Sequence, residues 1–423
     1  MADIHRRFRR FLTLPFALGL WLAPGIQAGS PGSAFDELDQ EAKKAPGQRK
    51  GKGSGPKSLF EETMAAYEDR YETLSAGMEA AYQSMERKMA AEQAKLQKQV
   101  QGKWTEFHPS TNKEWVEYSP KADSMSKVDF ERGEVEVEVL VPVEEVAPAK
   151  KERKDIKLDD LDAKEVEKLK SLAEEKIRGQ AKSMVTQKEE GKAEVMKDQI
   201  KTPDGKPVDE KNVDRFVKET IAPKMQVEDK PVVAQDGKPR MKVKVKIAMA
   251  PEHLKVRAQR YSAQVNAYAK KYGLEAALIY AVIHTESYFN PKARSVAGAL
   301  GLMQLVPRTA GVEAYKYLYK EEKLITPEYL FNPDNNIMLG STYLHMLHTR
   351  HYGKLKNPES RRSLSVAAYN CGPGNVRKTV TSRHDVDNLS GEEVVRLLKS
   401  LTPKETQAYV PHVLERMELY RDL

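Results

Sequence analysis

Glu286 occupies a place on a helix where an aliphatic residue is expected. Leu278, Val282 and Glu286 stand four residues apart, and Ile279 and Ile283 fall on the same side, so a carboxyl continues an apolar stripe. Asn290-Pro291 breaks the pattern just beyond and puts Glu286 in the last turn, where a core helix can open into a cleft. Ionising a carboxyl in such surroundings is costly, so the group tends to keep its proton near neutral pH. A protonated carboxyl at that pH is what general acid catalysis requires. Position alone does not separate this reading from an exposed or ion-paired glutamate.

Other reactive side chains offer less. Cys371 is the only cysteine, so no intrachain disulfide can form, and no histidine stands in a Cys/His signature with it; a small buried residue is expected. His345, His348 and His351 repeat every three residues, whereas helical metal ligands favour a spacing of four, and no carboxylate cluster lies nearby. His284 lies about 200° around the helix from Glu286 and is not expected to be its partner. Gly-rich phosphate loops and serine-nucleophile motifs are absent from the sequence, so neither a metal nor a cofactor is expected. The net charge of +8 arises from basic residues interleaved with acidic ones and is unaccompanied by a nucleic-acid motif, so no nucleic-acid partner is expected.

The elements that must position Glu286 fall into an α+β chain. From His253 onward, helical patterns follow one another across short Gly and Pro breaks, which predicts an all-α domain over 251–423. A smaller α+β module with a long N-terminal helix is predicted over 57–250. Ser58 and Glu61 have capping-box spacing, and Phe60, Met64, Tyr67, Tyr71, Leu74, Met78, Ala81 and Met85 form a heptad-like stripe. Either the 57–103 helix meets a protein partner or another copy of itself, or it folds onto its own domain. Val135, Val137 and Val139 alternate with glutamates, and Val243, Val245 and Ile247 with lysines. Pairing these strands antiparallel would bury one aliphatic face and set acid against base on the other. Residues 150–230 are dominated by Lys, Glu and Asp, with one helix signal through Leu161, Val166, Leu169, Ala173 and Ile177, and much of this insert is expected to be mobile.

The first residues look like an address. Arg6, Arg7, Arg9 and Arg10, the apolar run Phe11 to Ala23, and Ile26-Gln27-Ala28 predict a signal peptide over 1–28 and export to the periplasm, followed by a Gly/Ser/Pro/Lys-rich leader over 29–56. An uncleaved anchor is the alternative. No later segment is apolar for long enough to span a membrane, so no transmembrane span is expected in the mature chain.

Four ordered segments carry a resemblance. They are Glu286-Ser287; the run from Ser295 through Gly298 and Gly301 to Met303-Gln304; Ala368-Tyr369-Asn370 before Gly372-Pro373-Gly374; and Glu405-Thr406 before Tyr409-Val410. Together they resemble soluble-lytic-transglycosylase domains over about residues 255–423, which implies a lysozyme-like helical fold. Ser126 to Gly133 and Ala250 to Leu254 are similar to the N-terminal module of membrane-bound lytic murein transglycosylases. The lipid-bearing cysteine of that family is lacking here, so its anchoring is not carried over.

The resemblance implies a peptidoglycan lyase in which Glu286 acts first as acid and then as base, closing a 1,6-anhydro ring on the muramoyl sugar. Substrate binding or transition-state support falls to Ser287, Ser295, Met303, Gln304, Tyr369, Asn370 and Tyr409. Met303 would be an adaptable apolar wall, Gln304 an amide that orients sugars, and Tyr409 a support for the acid, with Glu405 structural. A hydrolytic muramidase and a non-catalytic wall-binding or assembly protein are the rival readings. The N-terminal module is expected to position the enzyme or bind partners, and removing 29–250 to leave cleavage largely intact.

Overall fold

A computed structural model describes residues 56–188 and 194–423, with side chains from residue 76 onward. The signal segment and leader therefore lie outside the described residues. Contact density divides the chain into one unit of Met1–Lys88 with Tyr315–Leu324 and a second of Met89–Ala314 with Ile325–Leu423. The sheet and the helical half apart from residues 315–324 thus fall in one unit.

The long helix α1 runs over Pro56–Gln101, so it already includes Ser58. Most of its heptad-like stripe lies on side chains outside the described residues. Near its C-terminal end Val100 packs with Trp104, Ala122, Met125 and Leu140, and the Trp104 indole N–H donates to the Ala122 carbonyl at 2.8 Å.

The sheet contains β1 (Glu114–Tyr118), β2 (Ser124–Asp129), β3 (Glu134–Pro142), β4 (Gln226–Val227), β5 (Val232–Val233) and β6 (Pro239–Ala248). Its order is β1-β2-β3-β6-β4 with β5 also on β6, and every pairing is antiparallel. The expected partnership of β3 with β6 is present, with Val137 opposite Val245, Glu136 opposite Lys246 and Glu138 opposite Lys244. Between β3 and β6 the ion pairs run diagonally, Lys246 to Glu134 at 2.8 Å and Lys242 to Glu138 at 3.8 Å, while Glu136 pairs straight across with Lys127 of β2 at 2.9 Å. Diagonal neighbours remain within reach of long side chains. β2 escapes period-two reading because both of its faces are covered, with the polar Ser124 and Ser126 buried alongside Met125 and Val128.

Among its described residues the charged insert is packed, contrary to the expectation that much of it is mobile. Helix α2 (Ala163–Thr186) opens with a reciprocal Asp162/Glu165 capping box and buries Leu169, Ala173, Ile177, Ala181 and Met184 toward the sheet. Further along, Ile200, Val213, Phe216 and Ile221 join the same core. Apolar residues at helical spacing supply the buried face, while the abundant Lys and Glu occupy the solvent face; composition averaged the two together.

The helical half is built on α3 (Ser262–Tyr272), α4 (Ala276–Ser287), α5 (Pro333–Met346), α6 (Pro358–Cys371), α7 (Gly391–Leu401) and α8 (Lys404–Met417). Every residue of α4 from Ala277 to His284 is buried, so this helix is the centre of the half, packed by α3 and α8. The whole is an α+β fold. Among the described residues no helix is long and apolar enough to cross a membrane.

Candidate active site

Glu286 is the penultimate residue of α4, and the chain leaves the helix through two successive left-handed residues, Tyr288 (φ 51°) and Phe289 (φ 60°). That reversal ends the helix before Asn290. Glu286 keeps partial exposure as a residue while Ile283 and Ser287 near it are buried, so its carboxyl is poorly hydrated at the edge of the core. Burial pushes its pKa up to about 8; the Tyr409 hydrogen bond, which favours the anion, offsets part of this, and the charge of Glu405 adds to it.

Helix α8 brings Tyr409, whose hydroxyl donates to Glu286 Oε1 at 2.7 Å. This leaves Oε2 as the oxygen available to carry a transferable proton. The Tyr409 phenol is itself raised well above 10 by burial and by the adjacent Glu286, so it remains a neutral donor. Tyr369, on α6, is also held well above 10, first by burial and then by Glu286. Its hydroxyl donates to the Met303 carbonyl at 2.8 Å and its ring lies 5.7 Å from that of Tyr343.

The motif loop between α4 and α5 is held from beneath. Asn336 of α5 is fully buried and uses its whole amide: Oδ1 accepts from Met303 N–H at 2.7 Å, and Nδ2 donates to the carbonyls of Leu300 and Leu330 at 2.9 and 2.8 Å. Gly301 has φ 73°, and a Cβ there would collide with Asn336 and the Leu330 carbonyl. One turn after Asn336, Gly340 leaves the space that Met303 fills. Met303 is therefore fully buried under the loop and does not wall the cleft, which differs from the role expected for it.

Ser287 is turned inward as well. Its hydroxyl donates to the carbonyls of Ile283 and Leu302 at 3.1 and 2.7 Å, tying the end of α4 to the motif loop. Ser295 closes the loop on itself by accepting from Ala299 N–H at 3.0 Å. Gln304 has φ 47° and donates to the Gly301 carbonyl at 2.9 Å, while its Oε1 is buried without a partner among the described residues. An acceptor held in this way fits an incoming N–H or O–H. Asn370 does not meet Glu286 directly; it donates to Glu405 at 3.2 Å and accepts from Thr406 at 2.6 Å, fixing the start of α8. Glu405 is exposed.

The remaining candidates lie elsewhere. His284 bonds the Tyr420 hydroxyl at 2.9 Å, and burial pushes its pKa down to about 3. His345 stacks on Tyr272 at 4.6 Å, and no metal-binding group of three or more ligands occurs among the described residues. Cys371 is half-buried with its thiol pKa raised by burial. Sequence reading missed Asn336, whose only signal is a lone amide on the otherwise apolar face leading to Gly340. It also missed Asn112, whose side chain donates to the Glu286 carbonyl at 3.1 Å from the sheet module.

The family model of the transglycosylase SLT domain matches residues 263–389, a span that holds Glu286, Gln304 and Tyr369 and ends before α8. The membrane-bound lytic murein transglycosylase C of Cronobacter sakazakii is 38% identical over 185 residues, covering 42% of this chain and 51% of that protein. Its counterpart in Serratia proteamaculans is 38% identical over 183 residues, with the same shares. The chain thus spans about half the length of the curated relatives it matches. A crystal structure of the lytic transglycosylase Slt from Pseudomonas aeruginosa, an inactive mutant, aligns at 35% identity over 38% of this chain and 24% of that one, with a TM-score of 0.31.

Proposed function

We propose that this chain, with its SLT domain around one desolvated carboxyl, is a lytic transglycosylase that cleaves the β-1,4 bond between N-acetylmuramic acid and N-acetylglucosamine in peptidoglycan. The observation that carries the reading is Glu286 itself: an acid with a pKa of about 8, partly exposed and braced by Tyr409. Protonated at neutral pH, Glu286 gives its proton to the glycosidic oxygen as the bond from C1 to that oxygen breaks. The oxygen of the muramoyl C6 hydroxyl then bonds to C1, and its proton passes to the Glu286 carboxylate. The acid is regenerated, a 1,6-anhydro ring closes, and no water is consumed. Tyr409 steadies the carboxylate between the two steps, and the unpartnered Gln304 Oε1 is suited to a sugar N–H or O–H.

The exposed Glu405 acts electrostatically on Glu286 and keeps a two-carboxyl hydrolytic reading worth separating. Mass spectrometry of cell-wall digests distinguishes the two by one water. Anhydro-muropeptides are expected; reducing ends would assign hydrolysis. Glu286→Gln should lower turnover by at least about a thousandfold while wall binding survives, and retained cleavage would reject Glu286 as the acid. Export is supported by the basic, apolar and small-residue order of 1–28, and the working compartment by a periplasmic substrate.

A further inference from the structure

We infer that the sheet module is a positioning part of the catalytic centre, with Asn112 and Arg257 fixing the end of α4 and thereby the placement of the Glu286 carboxyl. The inference rests on the acid role proposed for Glu286.

The helix end needs outside support. Two adjacent non-glycine residues in the left-handed region are individually disfavoured and persist only where surrounding contacts hold them. Their reversal also removes a helical donor: the Asn290 N–H, four residues beyond Glu286, donates to the Ser287 carbonyl at 2.9 Å instead. Asn112 of the sheet module supplies a hydrogen bond to the Glu286 carbonyl. Nearby, the Arg294 N–H donates to the Thr111 carbonyl at 3.3 Å, so the segment before β1 lies along the motif loop too.

Arg257 makes the second attachment. It lies in the helix His253–Arg260 and is 1% exposed, with neutral acceptors from three segments around its guanidinium. Nε donates to the Tyr288 carbonyl at 3.1 Å, Nη2 to the Phe130 carbonyl at 2.9 Å, and Nη1 to Gln199 Oε1 at 2.8 Å. Nη1 also lies 2.8 Å from His253 Nδ1, and the guanidinium sits 5.0 Å from the centre of the Phe130 ring. A planar fork can satisfy acceptors at these separate angles, whereas a lysine cannot. The geometry therefore ties the turn after Glu286 to the β2–β3 turn of the sheet.

The same turn is tied to α8. The Tyr288 hydroxyl donates to Glu131 at 2.6 Å and accepts from Arg416 at 2.6 Å, with Arg416 also 4.8 Å over its ring. Arg416 shares α8 with Tyr409, the donor to Glu286 Oε1. Glu286 is thus approached by the module twice: through its own backbone, and through the helix that carries its phenol partner.

The test uses the purified full chain with Asn112→Ala and Arg257→Lys. For each, kcat and KM on glycan strands, the pH profile of kcat and the melting temperature are measured, and the Glu286 carboxyl is titrated by carbon NMR. Asn112→Ala is expected to fold, to lose about tenfold in kcat with KM nearly unchanged, and to move the alkaline limb of kcat to lower pH. The NMR titration should move the same way, because a loosened helix end admits water to the carboxyl. Arg257→Lys should do the same; if it fails to fold, Asn112→Ala decides. A wild-type kcat and limb in Asn112→Ala would overturn the inference, as would a loss of stability that leaves the Glu286 titration in place. The NMR result needs no turnover, so it judges positioning even if the wild-type chain proves inactive on peptidoglycan, an outcome that would sink the catalytic reading instead.

Discussion

At the scale of single residues, the raised pKa of Glu286 has a consequence for stability as well as for rate. Its folded value of about 8 exceeds the ordinary 4.5, so between those two the folded chain binds a proton that the unfolded chain releases. The stability held by this group is complete below about pH 4.5 and drains away as pH rises through about 8. Glu286→Gln, which cannot ionise, should melt a few degrees above wild type at alkaline pH, with the gap closing toward pH 4. Thermal melts across that range check this, and a gap independent of pH would contradict it. Tyr409→Phe probes the opposite influence, since the phenol favours the anion. Its removal should raise the alkaline limb of kcat and lower kcat by about ten- to a hundredfold, the scale of one hydrogen bond to a charged group. A pH–rate profile shifted downward would show that the phenol acts in some other way. Glu286 was legible in the sequence because a carboxyl interrupts an apolar period. The inward roles of Ser287 and Met303 were not, because their partners, the Leu302 carbonyl and Gly340, are known only once α4, the motif loop and α5 have packed.

At the scale of elements, the motif loop depends on a residue distant in sequence. Asn336 and Met303 are 33 positions apart, yet their hydrogen bond sets the height of the loop over α5. Replacing Asn336 with Ala would strand Met303 N–H and the carbonyls of Leu300 and Leu330 in a dry interior and leave a cavity beside Gly301. A loss of about 3 kcal/mol is expected, since each unpaired buried group costs about 1–3 kcal/mol and some will find other partners. Urea unfolding measures it; a loss below about 1 kcal/mol would mean that the loop supports itself. Glycines at Gly298 and Gly301 marked a loop in the sequence, but no periodicity links them to Asn336. The sheet divides in the same way. β3 and β6 were readable from strict alternation and opposite charge, whereas β1 and β2 mix polar residues with Trp115, Met125 and Val128 and are covered partly by α2, far along the chain, and partly by Val100 and Trp104 at the end of α1.

At the scale of the molecule, sequence composition suggested a catalytic half and a separable module, because texture changes sharply near residue 253. Texture reports secondary structure and solvent exposure, however, and says little about which surfaces meet. The structure joins the two halves through buried and polar contacts: Tyr288 belongs to the core of the sheet module, Arg257 reaches the Phe130 carbonyl, and Arg260 Nη1 donates to the Val195 carbonyl at 2.9 Å. A chain beginning at residue 251 would therefore expose the Arg257 guanidinium, leave Tyr288 without Glu131, and deprive the Glu286 carbonyl of Asn112. The helices should persist, since α4 is enclosed by α3 and α8, but the turn that aims the acid would relax. Cleavage by the shortened chain should fall by at least about tenfold relative to the full chain, with helical circular dichroism retained and the Glu286 titration moved toward that of a hydrated carboxyl. Full turnover by the folded fragment would restore the separable-module view and show that α8 and the motif loop are enough to hold Glu286 in place.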